Sequence, residues 1–418
     1  MLDTPKIASI SDTWSGQESL SHLYYTSKEV YDVDINMITD SQWLLAGHIS
    51  QIPKRGDFFL FEVGIENIIV TRESPERIRA FYNVCRHRGS RICTKPAGSV
   101  RTLTCPYHSW SWNLDGTMRG APQMPAEFRK ELYNLHEVHV GVFEGIIFLN
   151  FSASEPPSFE EFVCRFRDMV QPHQLAKTKI AYRKSYPTTA NWKLVAENFQ
   201  ECYHCGPSHP TYCSVHSKVK LLGFIGGRSV GTTEAVAAFE PLMVNWEEKA
   251  SAMGHYTGRF TDDCDSPHMQ QGVRTPYLTD AETETRDGKL VAPFLGSYTQ
   301  SDGASSYAVF CPLNTALINA DYAVLISFIP RGVNSTDVEC IWLVHEDAVE
   351  GKDYDVARLI DVWDTTLTED KKIVEDNQLG VNSSVYKPGP HSYMEAGATS
   401  VVGWYLKQYG RYMGSGRT

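Results

Sequence analysis

Two patterns of apolar and polar positions divide the chain. From Trp43 to Phe151 the apolar residues come in short or alternating runs, FFLFEVGIENIIVTR and GVFEGIIFLNF among them, separated by Gly, Pro and Asn. Alternation sends successive side chains to opposite faces of a strand, so residues 43–155 are expected to form a compact β domain. The stretch SASEPPSF at 152–159 carries two prolines and few apolar positions and reads as a linker. Beyond it, helical spacing at 158–175 and 191–205 mixes with strand-like runs at 307–311, 315–329 and 336–344. That mixture predicts a second, α+β domain over 156–418, with residues 1–42 as an N-terminal segment packed on it. Residues 246–290 are polar and rich in Gly, Thr and Asp, and read as a long loop that either walls a site or is passive surface.

Composition narrows the function classes. At 418 residues, 42% hydrophobic and 21% charged, the chain can bury two or three ordinary cores, and its most apolar stretches are shorter than the ~20 residues a membrane helix needs. The opening MLDTPKIASISDTW lacks a basic start followed by an apolar core, so no export signal is expected and a cytoplasmic location follows. A formal charge of -11 argues against nucleic acid as a partner, because phosphate binding draws on clustered Lys and Arg. The ten cysteines show no dense repeating spacing, which suits core residues or metal ligands better than a disulfide framework.

Residues 85–108 read CRHRGSRICTKPAGSVRTLTCPYH. Cys85 with His87, and Cys105 with His108, give two loops that each offer one thiolate and one imidazole. Zinc fingers group two cysteines and then two histidines, whereas one of each per loop can put two thiolates on one iron and two imidazoles on another. Neutral imidazoles in place of thiolates raise the potential of such a cluster. Cys93 falls outside the spacing and reads as a core cysteine.

The run NWKLVAENFQECYHCGPSHP, residues 191–210, places Asn198, Glu201 and His204 three residues apart, on one stripe of a helix if the helix is unbroken. His209 would lie about 140° further round at ~3.6 residues per turn, unless Gly206 and Pro207 end the helix and fold the chain back. Two histidines and a carboxylate on one face would hold a mononuclear iron and leave positions open for dioxygen and substrate. Cys202 and Cys205 read as incidental cysteines, since no thioredoxin context surrounds them.

These motifs, with CPYHSWSWNLDG, resemble the Rieske non-haem iron oxygenases, although Ser109 stands where that family usually has Gly. The resemblance implies an all-β Rieske iron–sulfur domain and a larger, helix-grip-like α+β catalytic domain of antiparallel sheet and helices. It implies a [2Fe-2S] cluster on Cys85, His87, Cys105 and His108, flanked by Tyr107 and Trp110, and an Fe(II) ion on His204 and His209. Glu201 occupies the family's bridging position between the two metal centres in head-to-tail homotrimers. The third iron ligand must then lie further on, and Asp321 is the candidate, since it stands in the otherwise apolar CPLNTALINADYAVLISFIP, where an isolated carboxylate would be costly.

AENFQECYHCGPSHP, CIWLVHEDAVEGKDYD at 340–355 and YKPGPHS at 386–392 are most similar to the oxygenases that demethylate quaternary ammonium compounds, glycine betaine and stachydrine, with carnitine oxygenases further off. The implied reaction hydroxylates an N-methyl carbon; aromatic-ring dioxygenation is the alternative. A permanent cation suits aromatic faces, and Trp246, Tyr256, Tyr277, Tyr298 and Tyr307 are candidates. No nucleotide-binding GxGxxG follows a strand, so electrons are expected from a separate flavin- or ferredoxin-type NAD(P)H reductase. Arg86, Arg88, Arg91, Lys95 and Arg101 around the cluster loops offer it a docking patch.

Overall fold

The computed structural model describes residues 14–216, 233–277 and 280–415; the first thirteen residues, on which the reading of no export signal rests, lie outside the described residues. The chain divides into two compact units, one spanning Thr39–Phe159 and the other joining the residues before it to Glu160–Thr418.

The first unit is all β. Its strands are β1 (Leu44–His48), β2 (Asp57–Val63), β3 (Glu66–Ser74), β4 (Arg77–Tyr82), β5 (Ala97–Ser99), β6 (Leu103–Thr104), β7 (Ser111–Trp112), β8 (Met118–Gly120), β9 (Glu137–Phe143) and β10 (Ile146–Asn150). Seven pair in the order β1-β10-β9-β4-β3-β2-β5, and β6-β7-β8 form a separate small sheet. Local chemistry sets the register: Glu144 and Gly145 join β9 to β10 with φ of 49° and 82°, the left-handed pair that a two-residue hairpin turn requires. Phe81, Leu103, Trp110, Trp112 and Met118 pack with Cys85, Cys93 and Cys105 into one core under the small sheet.

The second unit is built on an antiparallel sheet of β11 (Thr178–Thr188), β12 (Arg259–Thr261), β13 (Gln271–Pro276), β14 (Ala304–Cys311), β15 (Asn314–Ile318), β16 (Ala323–Gly332) and β17 (Ser335–His345). Its order is β11-β17-β16-β15-β14-β13-β12. The run 315–329 is two strands, because Asn319–Tyr322 turns with the Asn319 N–H donating to the Tyr322 carbonyl at 2.8 Å. The polar segment 246–290 is also not one loop. A helix, Thr233–Ala252, covers its start, and β12 and β13 supply the edge of the sheet. β13 tolerates its polar composition in the interior because Arg274 is buried against the Asp302 carboxylate, Nη1 to Oδ2 at 2.9 Å.

Three helices matter most: α1 (Trp192–Phe199), α2 (Val356–Val381) and α3 (Ala396–Gly414). In α2 the residues Leu359, Val362, Trp363, Thr366, Leu367, Val374, Gln378 and Val381 are buried at spacings of three and four, the stripe of an amphipathic helix. Several polar anchors fix α1. The Asn191 side chain caps it by accepting from the Lys193 N–H at 3.1 Å and donates to the Val333 carbonyl at 2.8 Å, while its own N–H donates to Gln378 Oε1 at 2.8 Å. Lys193 is fully buried against Asp34, a pairing that survives burial because Tyr405 O–H and Trp192 N–H also donate to Asp34, at 2.8 and 3.2 Å. One turn on, Tyr25 O–H donates to Glu197 at 2.9 Å.

The chain leaves α1 directly beneath α3. A Cβ placed on Gly397 would lie 1.8 Å from the Gln200 carbonyl oxygen, so this approach is open only to glycine. Gly397→Ala is therefore expected to lower stability by about 1–3 kcal/mol, against the usual preference of a helix for alanine. Gly410, on the same helix, has nothing within 4 Å. Gly410→Ala should stabilise by up to ~1 kcal/mol. Thermal or denaturant unfolding of the two variants checks the pair, and equal effects would contradict the close approach.

Candidate metal centres and cavity

The two cluster loops repeat one turn. In the first, the Cys85 N–H donates to Ser90 O at 2.9 Å and the Gly89 N–H to Cys85 O at 3.0 Å; in the second, the Cys105 N–H donates to Trp110 O at 2.8 Å and the Ser109 N–H to Cys105 O at 3.0 Å. Gly89 and Ser109 hold equivalent positions, with φ of 77° and 60°. The departure from glycine at 109 thus leaves a side chain in the left-handed region. Cys85 and Cys105 are buried, whereas His87 and His108 stand at the surface with ring centroids 4.7 Å apart. Trp110 stacks on His87 at 4.7 Å and Tyr107 on His108 at 3.8 Å.

The two thiols lie together in the interior, Cys105 within hydrogen-bonding reach of Cys85, and the two imidazoles lie together at the surface, the pairing of like donors that a cluster of two inequivalent irons uses. Cys93 is buried and free in the adjoining core, where burial pushes its thiol up to about 12. Arg88, Arg91, Lys95 and Arg101 are exposed around the loops, Arg88 lying 5.5 Å over the Tyr107 ring.

In the second unit α1 stops at Phe199, so Asn198, Glu201 and His204 do not share one helix stripe as their spacing predicts. Glu201 and His204 lie in the turn that follows, and the break comes before Gly206 and Pro207, which are inside the short helix Cys205–Ser208. Pro207 is tolerated there because a first-turn N–H has no helical acceptor to lose. The turn also brings Cys202 and Cys205, read as incidental, into a disulfide with Cα atoms 4.9 Å apart, bracketing Tyr203 and His204.

His204 and His209 converge on a carboxylate, and it belongs to Asp370 on α2. Oδ1 of Asp370 lies 2.9 Å from His209 Nε2 and 3.3 Å from His204 Nε2. Donors about 3 Å apart are adjacent positions around an ion bound at roughly 2.1 Å. Each imidazole is also held from behind: His209 Nδ1 is 2.9 Å from Glu369 Oε2, and His204 Nδ1 meets Glu201 Oε1. Such contacts fix which nitrogen faces the ion. The Asn198 amide lies 3.3 Å from the His204 ring.

The carboxylates dominate the field. Burial alone would lower the His204 pKa, but hydrogen bonds to Asp370 and Glu201 raise it to about 9, and Asp370 and Glu369 raise His209 against its own burial. The same carboxylates would favour a divalent cation, which takes the place of those protons on binding, and the donor set of two nitrogens and one carboxylate suits Fe(II).

Asp321 is a correction. It is fully buried in the turn between β15 and β16, away from the histidines' carboxylate partner. Its Oδ1 accepts from the Thr283 hydroxyl at 2.5 Å and its Oδ2 from the Val291 and Ala292 N–H groups at 2.7 and 3.4 Å. Burial raises its pKa to about 6 despite those donors. The inference that a carboxylate in this apolar run needs a partner is met by a hydroxyl and two amides instead of a metal. Asp370 had its own signal, an acid among Thr366, Leu367 and Val374 on the buried stripe of α2.

A cleft opens from the three donors, walled by Phe199, Tyr212, Tyr307 and Trp363 and carrying Glu284, Thr275 and Ser305. Of the five aromatic candidates from sequence, Tyr307 is among the described residues on this wall. Trp246 and Tyr298 flank the Arg274 guanidinium at 5.6 and 5.9 Å, and Tyr277 donates to Asn319. Tyr256 is not on the wall either.

The Rieske [2Fe-2S] domain model matches residues 42–140, and the ring hydroxylating alpha subunit (catalytic domain) model matches 175–411. Over 397 residues the chain is 33% identical to the glycine betaine monooxygenase oxygenase subunit of Pseudomonas aeruginosa UCBPP-PA14, covering 93% of this chain and 89% of that one. The biphenyl 2,3-dioxygenase subunit alpha of Rhodococcus jostii RHA1 is 27% identical over 355 residues, 82% of this chain and 72% of that one. The fold is shared with the quaternary ammonium Rieske monooxygenase CntA bound to L-carnitine, with a TM-score of 0.69, 19% identity and coverage of 96% and 98%. Such domains carry a Rieske cluster and a mononuclear iron, and the two donor sets fit both.

Two measurements probe these centres. Asp370→Ala should lose the mononuclear iron while keeping acid-labile sulfide and the cluster spectrum, whereas Asp321→Ala should keep both metals and lose about 1–3 kcal/mol of stability; iron and sulfide assays with unfolding curves decide, and the reverse pattern would restore Asp321 as ligand. Ser109→Gly should stabilise the cluster-bearing unit by about 0.5–1 kcal/mol, read as a higher melting temperature, because φ > 0 suits glycine.

Proposed function

Since the chain belongs to the Rieske oxygenases with a ring-hydroxylating alpha-subunit catalytic domain, and is a terminal oxygenase of the glycine betaine monooxygenase type, we propose that it hydroxylates an N-methyl group of a small betaine, glycine betaine or proline betaine. The C–H bond becomes C–OH, the second atom of O2 leaves as water, and the resulting carbinolamine releases formaldehyde, a proton and the demethylated amine. One observation carries this reading: the cleft at His204, His209 and Asp370 combines aromatic faces with a carboxylate, surroundings that favour a cation over a neutral arene.

Iron bound there, with O2 and electrons from the cluster, supplies the oxidising power. The protein's own residues do the rest. His204, His209 and Asp370 would hold the ion at the edge of the cleft, where O2 and substrate can reach it. Phe199, Tyr212, Tyr307 and Trp363 exclude water and meet the quaternary ammonium group. Thr275 and Ser305, directly opposed on β13 and β14, offer hydroxyls to the substrate carboxylate. Asn198 steadies the His204 ring.

As an oxygenase subunit of this family, the chain works with a separate reductase on a small substrate. We infer that this reductase is a flavin- or ferredoxin-type NAD(P)H protein docking on the arginines around the cluster loops. Glu201, already holding His204 Nδ1, is suited to bridge to the cluster ligand of a neighbouring subunit in a homotrimer. No helix among the described residues is long and apolar enough to cross a membrane, and we propose a cytoplasmic setting.

The test is turnover of the holoenzyme with a reductase, NADH and a panel of betaines and arenes. Formaldehyde equimolar with demethylated amine is expected; diol from an arene with no formaldehyde from any betaine would contradict the reading. Glu201→Gln should keep both metals and lower coupled turnover at least ~10²-fold, and unchanged turnover would remove the bridge.

A further inference from the structure

Glu284 stands out among the groups in the cleft. Its side chain is buried, yet it lines the same space as the three iron donors. Among the described residues, three elements are seen to hold it in place. Oε1 meets His216 Nε2 at the end of the helix Pro210–Val215, Oε2 accepts from the Trp363 indole N–H on α2 at 2.7 Å, and its backbone carbonyl accepts from Tyr322 O–H at 2.7 Å. A carboxylate fixed this way is a preorganised charge that needs no rearrangement when a ligand arrives.

Its field reaches the surrounding wall. Burial raises the phenol pKa values of Tyr212, Tyr277 and Tyr322, and the next cause in each case is the charge of Glu284. Tyr212 and Trp363 meet edge to face with centroids 5.7 Å apart, and Phe199 stands 6.3 Å from Trp363. Among the described residues that line the cleft, none is Lys or Arg.

A quaternary nitrogen has no N–H, so hydrogen bonding cannot recognise it. Charge attraction and aromatic faces remain. We propose that Glu284 is the specificity-determining anion of the cleft: it draws a permanent cation between Tyr212, Trp363 and Phe199, and disfavours an isosteric neutral ligand that would lie against a buried carboxylate. This inference rests on the betaine reading above and sharpens it to one residue.

The test is calorimetric binding to the anaerobic holoenzyme, without reductant, of glycine betaine and of 3,3-dimethylbutanoate, its isostere with carbon in place of the charged nitrogen. Wild type should prefer the betaine by ~10-fold or more. Glu284→Gln, which keeps the shape and can still bond His216 and Trp363, should weaken betaine binding by a similar factor and leave the carbon isostere unchanged or tighter. Glu284→Asp, keeping the charge, should retain most of the preference. Circular dichroism and iron content should match wild type in both variants. Equal binding of the betaine by wild type and Glu284→Gln, or equal weakening of both ligands, would overturn the role of Glu284 alone. A wild type that binds no quaternary ammonium compound would instead overturn the betaine reading on which the role rests.

Discussion

Two imidazoles, each held by a carboxylate at both ring nitrogens, organise the catalytic unit. His204 and His209 direct Nε2 to one oxygen of Asp370, while Glu201 and Glu369 take the Nδ1 sides. Three acids around one buried and one half-buried ring would be costly in an apolar interior unless a cation joined them. The contacts to Glu201 and Glu369 leave the two Nε2 atoms facing Asp370 as the candidate metal donors.

The surrounding fold serves this geometry by fixing two helices that are far apart in sequence. α1 is capped by Asn191, tied to Asp34 through Lys193 and to Tyr25 through Glu197, so its end delivers the turn with Glu201 and His204 to a set place. α2 brings Asp370 and Glu369 against the histidines and, two turns earlier, Trp363 to the cleft and to Glu284. On the proposed reading, α2 therefore supplies both a metal donor and part of the wall that meets the substrate, and a shift of the helix would move the two together.

Much of this was legible in the residues. The paired Cys-x-His and Cys-x-x-His loops, each offering a thiolate and an imidazole, suit a two-iron cluster and carry the family resemblance that names it, and the β character of the first unit is visible in its short apolar and alternating runs between turn residues. The histidine pair was visible for its unusual composition, but the path between them was not, since the chain leaves α1 against Gly397 of α3, a contact remote in sequence. Asp321 misled because burial makes any carboxylate conspicuous, and nothing local reveals that Thr283, Val291 and Ala292 satisfy it. Asp370 could have been found by asking which acid lies on the apolar stripe of an amphipathic helix. The aromatic wall could not, since Tyr212, Trp363 and Phe199 meet only through the tertiary fold.

Diffraction from the iron-loaded protein at the iron absorption edge locates the single iron. The expected result is an isolated anomalous peak within bonding distance of His204 Nε2, His209 Nε2 and an Asp370 oxygen, apart from a paired peak between the Cys85–His87 and Cys105–His108 loops. An isolated peak bound by Asp321, or reached through the Nδ1 atoms, would contradict it.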